Sequence, residues 1–496
     1  MAGATRRGDA GVSMASEPRG GASRTPQTLT PDICVIGAGS GGLSVAAAAA
    51  AFGVPVVLIE KGKMGGDCLN YGCVPSKALL AAAKRAQAMR AGAAFGVAAQ
   101  RPTVDFVKVH GHVHGVIAAI APNDSKERFT GLGVQVIEGA ARFKSKDTVA
   151  VGDGIEIKAR RFVVATGAAP AAPPIPGLDQ AAYLTNETVF DLTVCPEHLV
   201  IIGAGPVGLE MAQAFRRLGA AVTVIEAAHP LAGDDPECTA VLLDQLAREG
   251  VVIRAGANVL RVEPGTKPRV IVATATGEET IEASHLLVAT GRRPNLDGLD
   301  LAAAGIRTNP RGIRVNKRLR TSNRRVYAVG DVAGGPQFTH AANYHAGIVI
   351  RNTLFRLRAR VNANVIPRVT YTDPELASVG VTDAQAAGRR IRVLRWPYHE
   401  NDRAQTERET RGHIKVITTE RGRILGATIV GAHAGELIVP WVLAVTQGLN
   451  IRAFAEVVMP YPTLAEIGKR AAVTYFSESL TNPFVQRIIR ALRRFG

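Results

Sequence analysis

Residues Ile33-Cys34-Val35-Ile36-Gly37-Ala38-Gly39-Ser40-Gly41-Gly42 run an apolar strand directly into a glycine-rich turn. An Ala-rich helix follows, and the next strand, Val54 to Ile59, ends in Glu60. This is the dinucleotide fingerprint in the context it requires. Gly37 makes the turn, Gly39 lets backbone approach a pyrophosphate, and Gly42 lets helix lie close on strand, while the helix N-terminus favours phosphate charge. Glu60 is placed to take ribose hydroxyls. A lone fingerprint carries little weight, but the construction returns. Leu199 to Ile202 leads into Gly203-Ala204-Gly205-Pro206-Val207-Gly208, a helix to Leu218, and a strand from Ala221 to Ile225 that ends in Glu226. First glycine and terminal acid are 23 residues apart in both copies. Two dinucleotides are therefore expected to bind. At the second site Glu226 would hydrogen-bond a free ribose 2′-OH and repel a 2′-phosphate, and Ala227-Ala228-His229 offers no arginine to reverse that preference, so NAD(H) is expected over NADP(H).

Around this repeat the composition is that of a globular chain of two to four domains: 496 residues, 47% apolar, with a formal charge of +17. The longest apolar stretch, Leu43 to Ile59, is broken by Gly53 and Pro55, so no transmembrane span is predicted. Residues 1–30 are rich in Gly, Ala, Ser, Arg and Pro and lack the apolar core of a secretory signal. They read as a disordered basic arm, with a transit peptide as the alternative because Arg6, Arg7, Arg19 and Arg24 outnumber Asp9 and Glu17. Nothing resembles a nucleic-acid module, so the positive charge is read as a basic solvated surface with no nucleic-acid partner. At the other end, Phe484, Ile488, Ile489, Leu492 and Phe495 recur at helical spacing among Arg487, Arg490, Arg493 and Arg494. This short basic amphipathic helix is expected to dock on its own protein or a partner subunit, with peripheral membrane contact through residues 484–496 as the alternative.

Five cysteines are too few for a disulfide scaffold, which favours a cytoplasmic location and makes a close pair a redox or metal-binding feature. That pair is Cys68 and Cys73, in Gly65-Gly66-Asp67-Cys68-Leu69-Asn70-Tyr71-Gly72-Cys73-Val74-Pro75-Ser76-Lys77. Pro75 suits a first helical turn, so Cys73 is expected at a helix N-terminus, where the dipole and Lys77 favour thiolate and lower its pKa. Residues five apart on a regular helix point about 140° away from each other. A disulfide between them needs an irregular turn, for which Gly72 supplies the freedom. The other readings are buried structural cysteines or half a zinc site, but no second Cys or His pair with zinc spacing accompanies them, and no resident metal is expected. Cys34, Cys195 and Cys238 are read as small apolar residues or incidental thiols.

The segment GGDCLNYGCVPSKALL resembles the active-site segment of the pyridine nucleotide-disulfide oxidoreductases, flavoproteins that include dihydrolipoamide dehydrogenase, glutathione reductase and mercuric reductase. The resemblance spans roughly residues 31–480, with motifs in family order. Val164-Ala165-Thr166-Gly167 and Val288-Ala289-Thr290-Gly291 look like the two chain crossings, Val326 to Asp331 like the second FAD segment, and Tyr371 to Gly380 like the opening of the dimerisation domain. Repeat and motif order together predict an α/β fold of two doubly wound, Rossmann-like domains, the second inserted in the first, plus a C-terminal α+β dimerisation domain. The corresponding boundaries are 31–166 with 293–362 for FAD, 167–292 for NAD, 363–482 for the dimer interface and 483–496 for the tail.

The resemblance implies FAD held by Gly37, Gly39, Gly42, Glu60, Lys77, Gly139, Thr166, Gly167, Gly330 and Asp331, the last on the ribitol chain. It implies nicotinamide nucleotide held by Gly203, Gly205, Gly208, Glu226 and Gly291. Reduced nicotinamide would pass hydride to the flavin, which would reduce a Cys68–Cys73 disulfide, with Cys73 facing the flavin, Cys68 exchanging with substrate, and Lys77 paired with Glu210. A homodimer is implied, in which the partner contributes a His-Pro-Thr segment and a nearby Glu. Here that segment is Tyr461-Pro462-Thr463, with Glu466 following. An unperturbed tyrosine titrates near 10, far from the range of an efficient general base at neutral pH. Tyrosine at this place is similar to mercuric reductases, although no cysteine follows Cys238 to form their usual C-terminal metal-delivering pair. His340, His345 and His399 are the other candidates for acid or ligand. The function expected is an NADH-consuming flavoprotein reductase acting on a small-molecule disulfide, a thiol-bound metal or a quinone. The alternatives are dihydrolipoamide dehydrogenase proper and a membrane-associated electron-transfer flavoprotein.

Overall fold

Short Val/Ile-rich runs buried on both faces favour parallel sheets covered by helices, and two such sheets form the nucleotide domains. The computed structural model describes residues 27–274, 277–477 and 482–495. In the first sheet, Ile33–Ile36 lies between Val56–Glu60 and Arg161–Val164, with Val134–Glu138 and Val326–Ala328 outermost, all parallel. In the second, His198–Ile202 lies between Ala221–Glu226 and His285–Val288, with Val251–Ala255 beyond. Each fingerprint turn thus leaves the carboxyl end of a central strand, where open α/β sheets bind ligands. The second domain is inserted in the first, because Val326–Ala328 returns to the first sheet after the second is complete. At the crossing, outgoing Ala168–Pro170 pairs antiparallel with returning Arg292–Pro294.

The third domain is built on a five-stranded antiparallel sheet, in the order Arg368–Thr370, Glu375–Gly380, Ile424–Gly431, His413–Thr419, Ile391–Pro397. Its core centres on buried Trp441, whose ring stacks on Phe454 with centroids 3.9 Å apart. Ion pairs tie it to the second nucleotide domain. Lys415 Nζ, on a side chain only 4% exposed, meets Asp235 at 2.7 Å, Asp383 at 2.9 Å and Glu237 at 3.1 Å. Arg217 likewise meets Glu249 and Asp373 at 2.6 and 3.0 Å. Buried charges are tolerated where they are multiply paired in this way.

Two terminal expectations change. The arm expected to be disordered through residue 30 ends earlier, since Gln27–Leu29 form a strand parallel to Ile155–Ile157; a free sheet edge recruits backbone whatever the side chains. Residues 1–26 lie outside the described residues. The tail forms the helix Pro483–Leu492, none of whose residues is buried, and Phe484, Ile488, Ile489 and Leu492 are all exposed. It does not dock on the described residues of its own chain, so of the expected seats a partner subunit and a membrane surface remain. Among these residues no helix is long and apolar enough to cross a membrane.

Candidate active site

The two fingerprints are geometrically alike. A Cβ added at Gly42 would collide with the Gly37 carbonyl, and one at Gly208 with the Gly203 carbonyl, so the third glycine of each allows helix and turn to touch. At Gly39 and Gly205 an added Cβ would meet nothing within 4 Å, leaving that backbone open to a ligand. These two glycines are the N-caps of Ser40–Ala51 and Pro206–Leu218, and neither helix has a side-chain cap or an acid in its first turn. Their free N–H groups suit a pyrophosphate. Glu60 accepts from Ala38 N and Gly62 N, and Glu226 accepts from Ala204 N and Ala228 N at 2.8 and 2.9 Å. Both carboxylates are thereby fixed at the strand ends.

A continuous cavity of about 1540 Å³ joins these turns to the cysteines. That exceeds the volume of an ordinary small-molecule site and fits two extended dinucleotides meeting end to end. Gly139, Thr166, Gly167, Gly291, Gly330 and Asp331 line it as well. Burial pushes the Asp331 carboxyl up to about 6, with Arg292 pulling the other way. Arg292 Nη2 reaches Ala168 O at 2.6 Å and Asp67 at 3.2 Å, while its buried Nε hydrogen-bonds nothing among the described residues. That Nε faces Asp331 Oδ2 at 3.6 Å, an ion pair longer than a hydrogen bond, and a donor with spare capacity beside a protonatable carboxyl fits a hydroxyl-bearing cofactor at this place.

Cys68 lies in the short helix Gly66–Asn70, and Cys73 is the first residue of Cys73–Ala91. Tyr71 and Gly72 break the path between them, and Gly72 has φ −122° and ψ −110° as N-cap. A Cβ there would come within 2.8 Å of Asp67 Oδ2 and 3.1 Å of Asp67 O, so a larger residue would have to displace the Asp67 side chain and crowd its carbonyl. The interrupted helix brings both thiols to one place. Cys73 Sγ is 3.4 Å from Thr339 Oγ1. The Cys73 thiol is pushed down to about 6, foremost by the hydrogen bond from Cys68, then by Thr339 and the Lys77 charge, against desolvation. Cys68 is shifted up for the reciprocal reason. One proton is thus held between two sulfurs, with the negative charge on Cys73. In the reduced protein, alkylation of Cys73 by iodoacetamide is expected to rise through a midpoint near pH 6, whereas an ordinary thiol has a midpoint of about 8.5. A midpoint above 8 contradicts this arrangement.

Lys77 Nζ meets Glu210 Oε2 at 2.8 Å and lies 4.4 Å from the centroid of the Tyr371 ring. Glu210, with a side chain 5% exposed, uses its other oxygen to accept from Tyr371 N at 2.9 Å.

Tyr461 and Glu466 are not brought to the cysteines within one chain. Tyr461 is 68% exposed on the third domain, where its phenol donates to Asp402 Oδ2 at 2.8 Å, a bond that raises its pKa further. Among the described residues no histidine is bonded to either sulfur, although His340, next to Thr339, lines the cavity. His345 is buried and accepts from Gly330 N at 3.2 Å through Nδ1, His340 Nε2 sits 2.8 Å from Pro367 O, and His399 is exposed. Cys34 is fully buried in its strand, and Cys238 is buried against His413, 3.4 Å away.

Sequence reading misses Thr339, Arg292, Tyr371 and Asn186, whose Nδ2 donates to Asp67 Oδ1 and Tyr71 O around Cys68. Only position could have flagged two of them. Arg292 follows the second crossing, and Thr339 opens the Thr339–Thr353 helix after Asp331.

The chain matches the family model described as pyridine nucleotide-disulphide oxidoreductase over residues 31–346, and that family's dimerisation domain over 366–472. It is 37% identical over 459 residues to a mercuric reductase of Streptomyces lividans, covering 90% of this chain and 96% of that protein. A dihydrolipoyl dehydrogenase of Geobacillus stearothermophilus is 34% identical over 454 residues, again covering 90% and 96%. Among solved structures, a Cu(II) complex of the HOCl-induced flavoprotein disulfide reductase RclA from Escherichia coli superposes with a TM-score of 0.79 at 28% identity, covering 88% of this chain and 98% of that one.

Proposed function

This chain belongs to the pyridine nucleotide-disulphide oxidoreductases, FAD-dependent enzymes of the disulfide reductase class, and on that premise we propose that it oxidises NADH to reduce a thiol-bound soft metal ion such as Hg(II). The dimerisation domain supports a homodimer. The observation that carries the reading is a Cys73 thiol acidified by Cys68, Thr339 and Lys77 in a chain that has Tyr461 where the partner subunit would otherwise supply a histidine base. Disulfide exchange with a dithiol substrate needs a base to take the substrate's proton. Delivery of electrons to a metal held by thiolates does not. The net reaction balances as NADH + H⁺ + Hg(SR)₂ → NAD⁺ + Hg(0) + 2 RSH. The relatives' names include both chemistries, and Tyr461 in the place of a histidine base supports the metal reading.

Bound FAD supplies the relay of the electron pair from reduced nicotinamide to the Cys68–Cys73 disulfide. The chain's own residues do the rest. Asp331 and the Gly37 turn hold that cofactor, Glu226 and the Gly203 turn select NADH, Cys73 carries the thiolate charge, and Cys68 keeps the shared proton and meets the acceptor. In the homodimer we assign Tyr461 and Glu466 to the partner subunit's site, where the phenol donates a hydrogen bond without shuttling protons. Lys77 and Glu210 position the charge at the cofactor end of the cavity. Glu210→Ala strips the acceptor from both Lys77 and the Tyr371 N–H, a loss of about 1–3 kcal/mol. The variant is expected to slow reduction by NADH roughly tenfold and to alter the flavin spectrum. Unchanged stopped-flow traces would remove the pair from the mechanism.

We place the exposed tail helix on an anionic membrane surface, because its apolar face is unpacked against the described residues of its own chain and is flanked by Arg487, Arg490, Arg493 and Arg494. Flotation with vesicles containing anionic lipid is expected to depend on residues 484–496. Equal flotation of the truncated protein excludes this contact.

A further inference from the structure

Away from the redox cavity, the helix Phe106–Ile120 carries His110 and His114 one turn apart on the same face. Their ring centroids are 4.1 Å apart. Across from them, the short helical turn Val189–Asp191 presents Asp191, whose Oδ1 is 3.6 Å from His114 Nε2; the same nitrogen lies 3.2 Å from Phe190 O, a contact that metal binding would replace. One donor atom from each of the three residues lies within 4.8 Å of the other two. Around a tetrahedral ion with bonds of about 2.0–2.2 Å, neighbouring donors stand roughly 3.4 Å apart. Small side-chain rotations therefore close the three onto one ion. All three are partly or fully open to solvent, so an ion can enter and keep water in its remaining positions. The intervening His112 is engaged elsewhere, its Nε2 lying 3.2 Å from Ala78 O on the Cys73–Ala91 helix.

We propose that His110, His114 and Asp191 form a binding site for a borderline divalent transition metal of the Zn²⁺ or Cu²⁺ class. Two imidazoles and a carboxylate suit such ions and are a poor match to Mg²⁺ or Ca²⁺, which take oxygen ligands. The sequence predicts no resident metal and no second pair to complete a zinc site with Cys68 and Cys73; the ion proposed here sits at a different position, on His110 and His114. None of the three residues lines the redox cavity.

Its place in the fold gives it a consequence. The segment that carries Asp191 also carries Phe190, which lines the redox cavity, and Asn186, which holds Asp67 and Tyr71 on either side of Cys68. The helix that carries the imidazoles is bonded through His112 to the helix that begins at Cys73. An ion joining the two elements ties together the supports on both sides of the cysteine pair, and so raises thermal stability.

The test is titration of Zn²⁺ into the tag-free, FAD-loaded homodimer with Cys68 and Cys73 oxidised, so that their thiolates cannot compete. The expected result is one ion per chain and a rise in Tm. His110→Gln and His114→Gln should each weaken binding by at least the roughly 10–100-fold that loss of even an outer-shell partner costs a metal site. His112→Gln, on the same helix but bonded to the neighbouring one, should keep the affinity. With Cu²⁺ as a second probe, the electron paramagnetic resonance spectrum should show two nitrogen donors in the parent and one in His110→Gln. Zn²⁺ bound equally well by a folded His110→Gln/His114→Gln variant, or not bound by the parent, overturns the proposal.

Discussion

Replacing Cys73 with serine is expected to lower NADH-dependent turnover by about 10³-fold or more, because a serine hydroxyl is not ionised near neutral pH and forms no disulfide. The fold should persist. Cys73 is open to the cavity, and serine is smaller and can keep a hydrogen bond to Thr339. Cys68→Ser should abolish turnover to the same degree but with a different signature. Cys73 then loses the contact that acidifies it most, and its alkylation midpoint should move from near 6 toward the ordinary thiol value of about 8.5. The two variants separate the roles, since one removes the thiolate and the other releases it from its partner. Quinone reduction that survives both changes would show a route that bypasses the sulfurs.

A second large effect is expected in the choice of nicotinamide nucleotide. Glu226 is held by two backbone N–H groups at the end of its strand, so it cannot swing away from a ribose 2′-phosphate. A fixed carboxylate about 4 Å from that phosphate costs roughly 2–4 kcal/mol, or about 30- to 1000-fold. The ratio of kcat/KM for NADH over NADPH should fall in that range. Glu226→Gln removes the charge while keeping one oxygen for the turn, and it should narrow the ratio by about tenfold, mainly by improving NADPH. Equal values for the two cofactors in the unaltered protein would contradict the assignment.

What could be read before folding was whatever the chain encodes locally. Glycines at fixed offsets between a buried strand and a helix mark the two turns, because only glycine clears the Gly37 and Gly203 carbonyls. Cys73 could be put at a helix start from Pro75 alone. Side chains delivered by distant segments could not be read. Thr339 reaches Cys73 from another helix, Tyr371 of the third domain brings its ring to Lys77 and its backbone N–H to Glu210, and Arg292 lies between Asp67 and Asp331 only because the chain crosses back beside Ala168. The acidity of Cys73 shows the same division. Lys77 was visible four residues away, but the larger contribution comes from Cys68, and it depends on the break at Tyr71 and Gly72 that folds the pair together. Asp191 likewise completes the His110 and His114 pair from a turn that follows the first domain crossing.

The central claim, electron delivery to a thiol-bound metal without a histidine base, is tested by steady-state NADH oxidation by the FAD-loaded homodimer. The acceptors to compare are Hg(II) in excess thiol, lipoamide, glutathione disulfide and a soluble quinone. The account predicts saturable turnover with Hg(II), lost in Cys73→Ser. It also predicts lipoamide turnover lower by about 10²-fold, the least that a positioned general base contributes. Lipoamide reduced as fast as Hg(II), or Hg(II) acting only as an inhibitor, would contradict it.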